Sequence, residues 1–122
     1  MTRFNTLSSK DIAATLQGGR RYKGRSLLVF VRAIHSCDIK NSNGLGKIAF
    51  IAPKRLGDAV FRNRCKRLLR EGMASALNSP KVREIYDKNN IILMANFNLF
   101  QLNSDQVTKE LIEIIENIYA VQ

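Results

Sequence analysis

Apolar positions along this chain recur with two different periods. Ser26 to Ile34 (SLLVFVRAI), Lys47 to Ala52 (KIAFIA) and Ile91 to Ala95 (IILMA) are short runs rich in aliphatic and β-branched residues, and each predicts a strand. The first suits a central strand and the last a strand buried on both faces. Elsewhere the spacing is helical. Ser8-Ser9-Lys10-Asp11 resembles a capping box, and Ile12, Ala13 and Leu16 follow it before Gly18-Gly19, which predicts a short first helix. Arg20 to Gly24 is a basic turn or short strand. A second helix is expected from about Asp58 to Asn78, with Asp58 suiting its N-terminal dipole and Pro80 ending it. Lys81 to Asn90 is charged, with room for another helical turn. A final helix, capped by Asn103 or Ser104, carries Val107, Leu111, Ile114, Ile115 and Ile118 as its apolar stripe, with Glu110, Glu113 and Glu116 expected to face water.

Connections complete the outline. Asp38 to Gly46 carries the turn pair Asn43-Gly44, so Lys47 to Ala52 is expected to form a hairpin with the strand before it, antiparallel to it. Pro53 to Gly57 bends the chain into the second helix. No repeat or linker divides residues 1–122, and the length fits a single domain.

Charge changes the picture most at the second helix. The chain has 20 Lys plus Arg against 10 Asp plus Glu, a net charge of +10. Lys54, Arg55, Arg62, Arg64, Lys66, Arg67 and Arg70 lie within Lys54 to Glu71, where only Asp58 and Glu71 oppose them. At about 100° per residue, Arg62, Asn63, Lys66, Arg67 and Arg70 share one side, while Phe61, Cys65, Leu68, Leu69 and Ala76 share another. Arg64 sits apart from the main basic side. A helix face of one sign repels itself unless an anion lies against it, so a polyanion is the expected partner. Four of the acids (Asp105, Glu110, Glu113 and Glu116) lie in the last helix, which leaves the preceding region still more cationic.

Other chemistry is sparse. Cys37 and Cys65 have neither metal-site spacing nor a disulfide framework and read as reduced thiols, and His35 has no visible catalytic partner. The carboxylates do not gather as metal-dependent phosphodiester cleavage requires, which argues against a nuclease acting alone. No apolar run approaches a membrane span and the first ten residues hold no apolar signal core, so a cytoplasmic protein is expected. DNA reading by the basic helix is disfavoured because no heptad seam accompanies it. A ribosomal-type structural RNA-binding protein would share the basic composition and the α+β architecture.

The run Lys54-Arg55-Leu56-Gly57-Asp58-Ala59-Val60-Phe61-Arg62-Asn63-Arg64-Cys65-Lys66-Arg67 resembles the RNR motif of the bacterial ribonuclease P protein family. The order of the first helix, the Arg25-led strand, the strand before the motif and IILMA matches that family across almost the whole chain. The resemblance implies an α+β sandwich of order αβββαβα, with a mixed central sheet and a left-handed crossover through the basic helix. It implies a protein that assists a catalytic RNA in removing the 5′ leader of precursor tRNA, a ribonucleoprotein endoribonuclease whose protein alone is not catalytic. Magnesium would be held mainly by the RNA, the partners would be that RNA and precursor tRNA, and no obligate protein partner is implied. Carried over by position, Lys54, Arg55, Arg62, Asn63, Arg64, Lys66, Arg67 and Arg70 would contact the RNA. A cleft between the first helix and the sheet would hold the leader, with Ile12, Leu16, Tyr22, Arg25, Phe30 and Phe50 as candidates. Two departures stand out. Ile12 and Leu16 occupy positions where relatives commonly carry rings, and Ala95-Asn96-Phe97 replaces a frequent Ala-Arg-Pro, so one basic group near the cleft is expected to be missing.

Overall fold

The computed structural model describes residue 4 and residues 6–33 and 47–121. The expectations for His35, Cys37 and the Asn43-Gly44 turn fall outside the described residues. Helix α1 spans Ser9–Gly18, strand β1 Arg20–Lys23, β2 Leu27–Ala33 and β3 Lys47–Ile51. Helix α2 follows at Ala59–Ala76, α3 at Pro80–Lys88, β4 at Asn89–Ala95 and α4 at Ser104–Val121. The result is an α+β sandwich of order αβββααβα around one four-stranded mixed sheet.

The helices begin where their capping residues stand. Ser8 accepts a hydrogen bond from the Asp11 N–H, and Asp58 accepts one from the Phe61 N–H at 2.9 Å. Asn103 caps α4 reciprocally with Gln106, its Oδ1 accepting from the Gln106 N–H at 2.9 Å while Gln106 Oε1 accepts from the Asn103 N–H at 3.0 Å. Helix α3 is longer than the single turn its charge suggests. Pro80 starts it as readily as it ends α2, and Val82, Ile85 and Tyr86 bury one side at helical spacing between charged neighbours.

The sheet order is β1-β2-β4-β3, so the expected hairpin between the second and third strands does not form. Strand β4 lies between them, antiparallel to β2 and parallel to β3. The reason is burial. Ile91, Ile92 and Leu93 are fully inaccessible, and only an inner strand with both faces covered excludes water from all three. The outer strand β1 is short and carries Arg20, Arg21 and Lys23, charges that discourage edge-to-edge pairing.

Helices α2, α3 and α4 cover one face of the sheet over Leu27, Val29, Ile91, Leu93 and Ala95; α1 lies on the other, over Phe30, Ala49 and Ile92. Helices α2 and α4 approach closely at Gly72, where an added Cβ would stand 2.6 Å from Val107 Cγ1. Val107 is buried and stiff at χ1, so it has little room to yield. Gly72→Ala is therefore expected to destabilise the protein by about 1 to 3 kcal/mol despite alanine's better helix propensity, read as a lower urea midpoint.

Two acids of α4 do not simply face water as expected. Glu110 accepts hydrogen bonds from the Arg25 N–H at 2.8 Å, the Ser26 N–H at 3.1 Å and the Ser26 hydroxyl, and Glu116 accepts from the Ser79 hydroxyl at 2.8 Å. Glu110 thereby pairs the N–H and hydroxyl of Ser26, a residue almost fully buried, and Glu116 pairs the Ser79 hydroxyl where α2 gives way to α3.

Candidate nucleic-acid interface

Lys54 and Arg55 stand exposed in a short 3₁₀ turn, Lys54–Leu56. Gly57 then turns the chain with φ 146°, a left-handed value that disfavours any side chain. Asp58 caps α2 immediately afterwards. Cys65, Leu68, Leu69, Gly72, Met73 and Ala76 turn inward, which leaves Asn63, Arg64, Arg67 and Arg70 exposed and Lys66 half-buried at the margin. Among the described residues the ion pairs are Arg67–Glu71 at 3.7 Å and Lys88–Glu84 at 2.8 Å. The first joins two side chains that are 65% and 51% exposed, a pair too solvated to compete with a phosphate. The basic face is thus almost uncompensated.

Arg62 differs from the position the helical wheel assigns it. It is half-buried, and its Nε donates to the Ala52 carbonyl at 3.2 Å, tying α2 to the end of β3. Arg64, set apart on the wheel, holds its guanidinium 5.9 Å from the Phe100 ring centre, and Arg70 lies 5.6 Å from that of Phe50. Cys65, buried beneath these cations, has its thiol pushed up from the ordinary range by burial, against the opposing charge of Arg64. It is a packing residue.

The opposite face of the sheet carries a second feature. Leu7 donates its N–H to the Ile48 carbonyl at 3.3 Å and Gly19 abuts Val31, so α1 crosses the sheet over the row Phe30, Ile92 and Ala49. The adjacent row on the same face is Leu28, Met94 and Ile51, in register across β2, β4 and β3, and all three remain half-buried. Lys23 extends that row at β1, and Arg21 extends the covered one. An apolar groove beside α1 with cations along one edge results.

The leader candidates distribute unevenly around this groove. Ile12 and Phe30 pack in the covered row beneath α1 rather than in the open one, and Phe30 is only 9% exposed. Thr15, not Leu16, is the inward residue of α1: its hydroxyl donates to the Asp11 carbonyl at 2.8 Å, so the side chain is buried without an unpaired group, and Leu16 is left 36% exposed. Tyr22 and Phe50 pack against the opposite core, beneath the other helices. Arg25 is exposed in the turn that Glu110 holds, and the Asn96 and Asn98 amides donate to its carbonyl at 3.0 and 3.1 Å. Sequence reasoning did not find Leu28, Ile51, Met94, Arg21 and Lys23. Alternation from Phe30 points to Leu28, but the others required the strand order.

Among the described residues no three His, Cys, Asp or Glu side chains are grouped to hold a metal ion, and no helix is long and apolar enough to cross a membrane.

A family profile described as Ribonuclease P matches residues 1–119. The chain belongs to the ribonuclease P protein family. It is 31% identical over 104 residues to the ribonuclease P protein component of Natranaerobius thermophilus, covering 85% of this chain and 80% of that one. It is 33% identical over 103 residues to that of Fusobacterium nucleatum, covering 81% and 82%. Among solved structures, the RNase P protein of Staphylococcus aureus superposes with a TM-score of 0.71 at 18% identity, covering 96% of both chains. That of Thermotoga maritima gives 0.71 at 16% identity, covering 94% of this chain and 97% of the other. At these identities the structural likeness establishes the ribonuclease P protein fold, and the family match spans both the basic helix and the groove.

Proposed function

We propose that this chain is the protein subunit of a ribonuclease P, binding the catalytic RNA through α2 and the 5′ leader of precursor tRNA in the groove beside α1. The observation that carries the reading is the basic face of Lys54, Arg55, Asn63, Arg64, Lys66, Arg67 and Arg70, exposed or marginal and opposed by one weak carboxylate pair. Such a face binds phosphates by displacing their counterions. The groove offers different chemistry: Leu28, Met94 and Ile51 provide an apolar floor for unstacked bases, and Arg21 and Lys23 lie where the leader's phosphates would pass.

In this reading the RNA performs the hydrolysis that leaves the mature tRNA 5′ end. Magnesium is held mainly by the RNA, in keeping with a protein whose carboxylates at Glu110 and Glu116 are committed to Ser26 and Ser79. The protein acts in the cytoplasm, lowers repulsion between the RNA and the leader, and needs no further protein. Affinity purification from the native organism provides the test. One dominant structured RNA of a few hundred nucleotides that processes precursor tRNA is expected; ribosomal RNA alone would overturn the reading in favour of a ribosomal-type protein.

The first-helix substitutions separate groove from core. Leu16→Phe adds a ring at an exposed position and is expected to raise the affinity ratio of precursor to mature tRNA by about 5-fold or more, since stacking is worth about 1 to 3 kcal/mol per base. Ile12→Phe, packed on the core beneath α1, is expected instead to cost about 1 to 3 kcal/mol of stability. Thermal unfolding together with the two tRNA affinities checks both.

A further inference from the structure

Two of the chain's six phenylalanines are spent on the surface, and both stand in the loop after β4. Phe97 is 57% exposed and Phe100 is 42% exposed, although each would contribute to folding only if buried. The loop that holds them is rigidly built. Leu99 is fully buried and its N–H donates to the Asn96 carbonyl, Gln101 donates to Asn98, Leu102 donates to Leu99, and the Asn98 N–H donates to Asn96 Oδ1 at 2.8 Å. Turns of this i→i−3 type favour one side for residues three apart, and Phe97 and Phe100 have that spacing.

Phe100 rests on the basic helix. Its ring centre lies 4.8 Å from that of Phe61 and 5.9 Å from the Arg64 guanidinium, neighbours one turn apart on α2. The ring is thus fixed in place beside a cation while much of its surface meets water. Val60, 79% exposed, precedes Arg64 by four residues on the same helix face.

We propose that Phe97 and Phe100 form a stacking platform that takes an unpaired nucleobase of the catalytic RNA, with Arg64 meeting the neighbouring phosphate; this rests on the function proposed above. Charge selects the occupant. A second copy of the chain carries the same net charge of +10 and is repelled, whereas an RNA strand supplies both a π-face to stack on the rings and the negative charge that this corner lacks. The catalytic RNA is favoured over the leader because Phe100 contacts α2, whereas the groove lies on the other face of the sheet.

The chain contains no tryptophan, so Phe100→Trp introduces a single fluorescent reporter that preserves stacking. In the full-length protein titrated with its cognate catalytic RNA, that emission is expected to be quenched. Phe97→Ala and Phe100→Ala are each expected to weaken binding by about 5- to 150-fold per unstacked base, with the salt slope unchanged, because a neutral ring displaces no counterions. Phe97→Ala guards against a folding artefact at Phe61, and thermal unfolding is followed for both. Unquenched emission with full affinity in both alanine variants would overturn the platform while leaving the proposed function intact. Quenching only when precursor tRNA joins the preformed complex, or a blue shift with anionic lipid vesicles and none with RNA, would also overturn it. Failure of the wild-type protein to bind that RNA at all would overturn the functional reading, and the platform with it.

Discussion

Alanine at both Arg55 and Arg67 is expected to flatten the salt dependence of binding to the catalytic RNA by about 1.8 units, about 0.9 for each phosphate left without its arginine. Both side chains are exposed, and the Arg67–Glu71 pair contributes little to folding, so thermal stability should stay nearly constant. Arg62→Ala should behave differently. Its loss removes the hydrogen bond to the Ala52 carbonyl and is expected to destabilise the fold by about 1 kcal/mol. Affinity measured against salt, with urea unfolding of the same variants, separates the two roles. An unchanged slope in the Arg55 and Arg67 double variant would remove the basic face from the interface.

The largest stability effect is expected at Glu110. One carboxylate there satisfies two backbone N–H groups and the hydroxyl of Ser26, a residue only 1% exposed. Glu110→Ala strands the two donors of buried Ser26 and leaves the exposed Arg25 N–H to water, at an expected cost of about 3 kcal/mol, as charged hydrogen bonds contribute about 1.5 to 3 and an unpaired buried group costs about 1 to 3. Glu110→Gln keeps an acceptor and should lose less. Because the same turn carries Arg25, the alanine variant should also lose preference for precursor over mature tRNA. A change below about 1 kcal/mol in urea unfolding would show that water replaces the carboxylate without penalty.

Local signals in the sequence were sufficient for α1, α2, α4 and most of the basic face, whereas α3 was expected as no more than a turn. Ser8, Asp58 and Asn103 stand where caps are needed, the stripe from Val107 to Ile118 has helical spacing, and the cations of α2 occupy the side away from Cys65, Leu68 and Leu69. Strand pairing was not legible in the same way. A turn between the second and third strands satisfies every local rule for a hairpin, but the sheet is decided by covering Ile91, Ile92 and Leu93 on both faces, a non-local demand. The hairpin expectation also hid the groove, since Leu28, Met94 and Ile51 become neighbours only in the true register. Arg62 escaped the helical wheel for a related reason: its acceptor is the carbonyl of Ala52, whose position depends on how β3 meets α2. At Asn96 the sequence suggested only a missing basic group, whereas the structure turns that residue to a positional use, holding Arg25 by its carbonyl.

Reconstitution of the full-length protein with its cognate catalytic RNA and precursor tRNA at limiting magnesium bears most directly on the proposed function. The mixture is expected to process the 5′ end at magnesium concentrations where the RNA alone is slow, and the RNA-free protein is expected to process none. Magnesium-dependent 5′ processing by the RNA-free protein, or a mixture no faster than the RNA alone at every magnesium concentration, would contradict it.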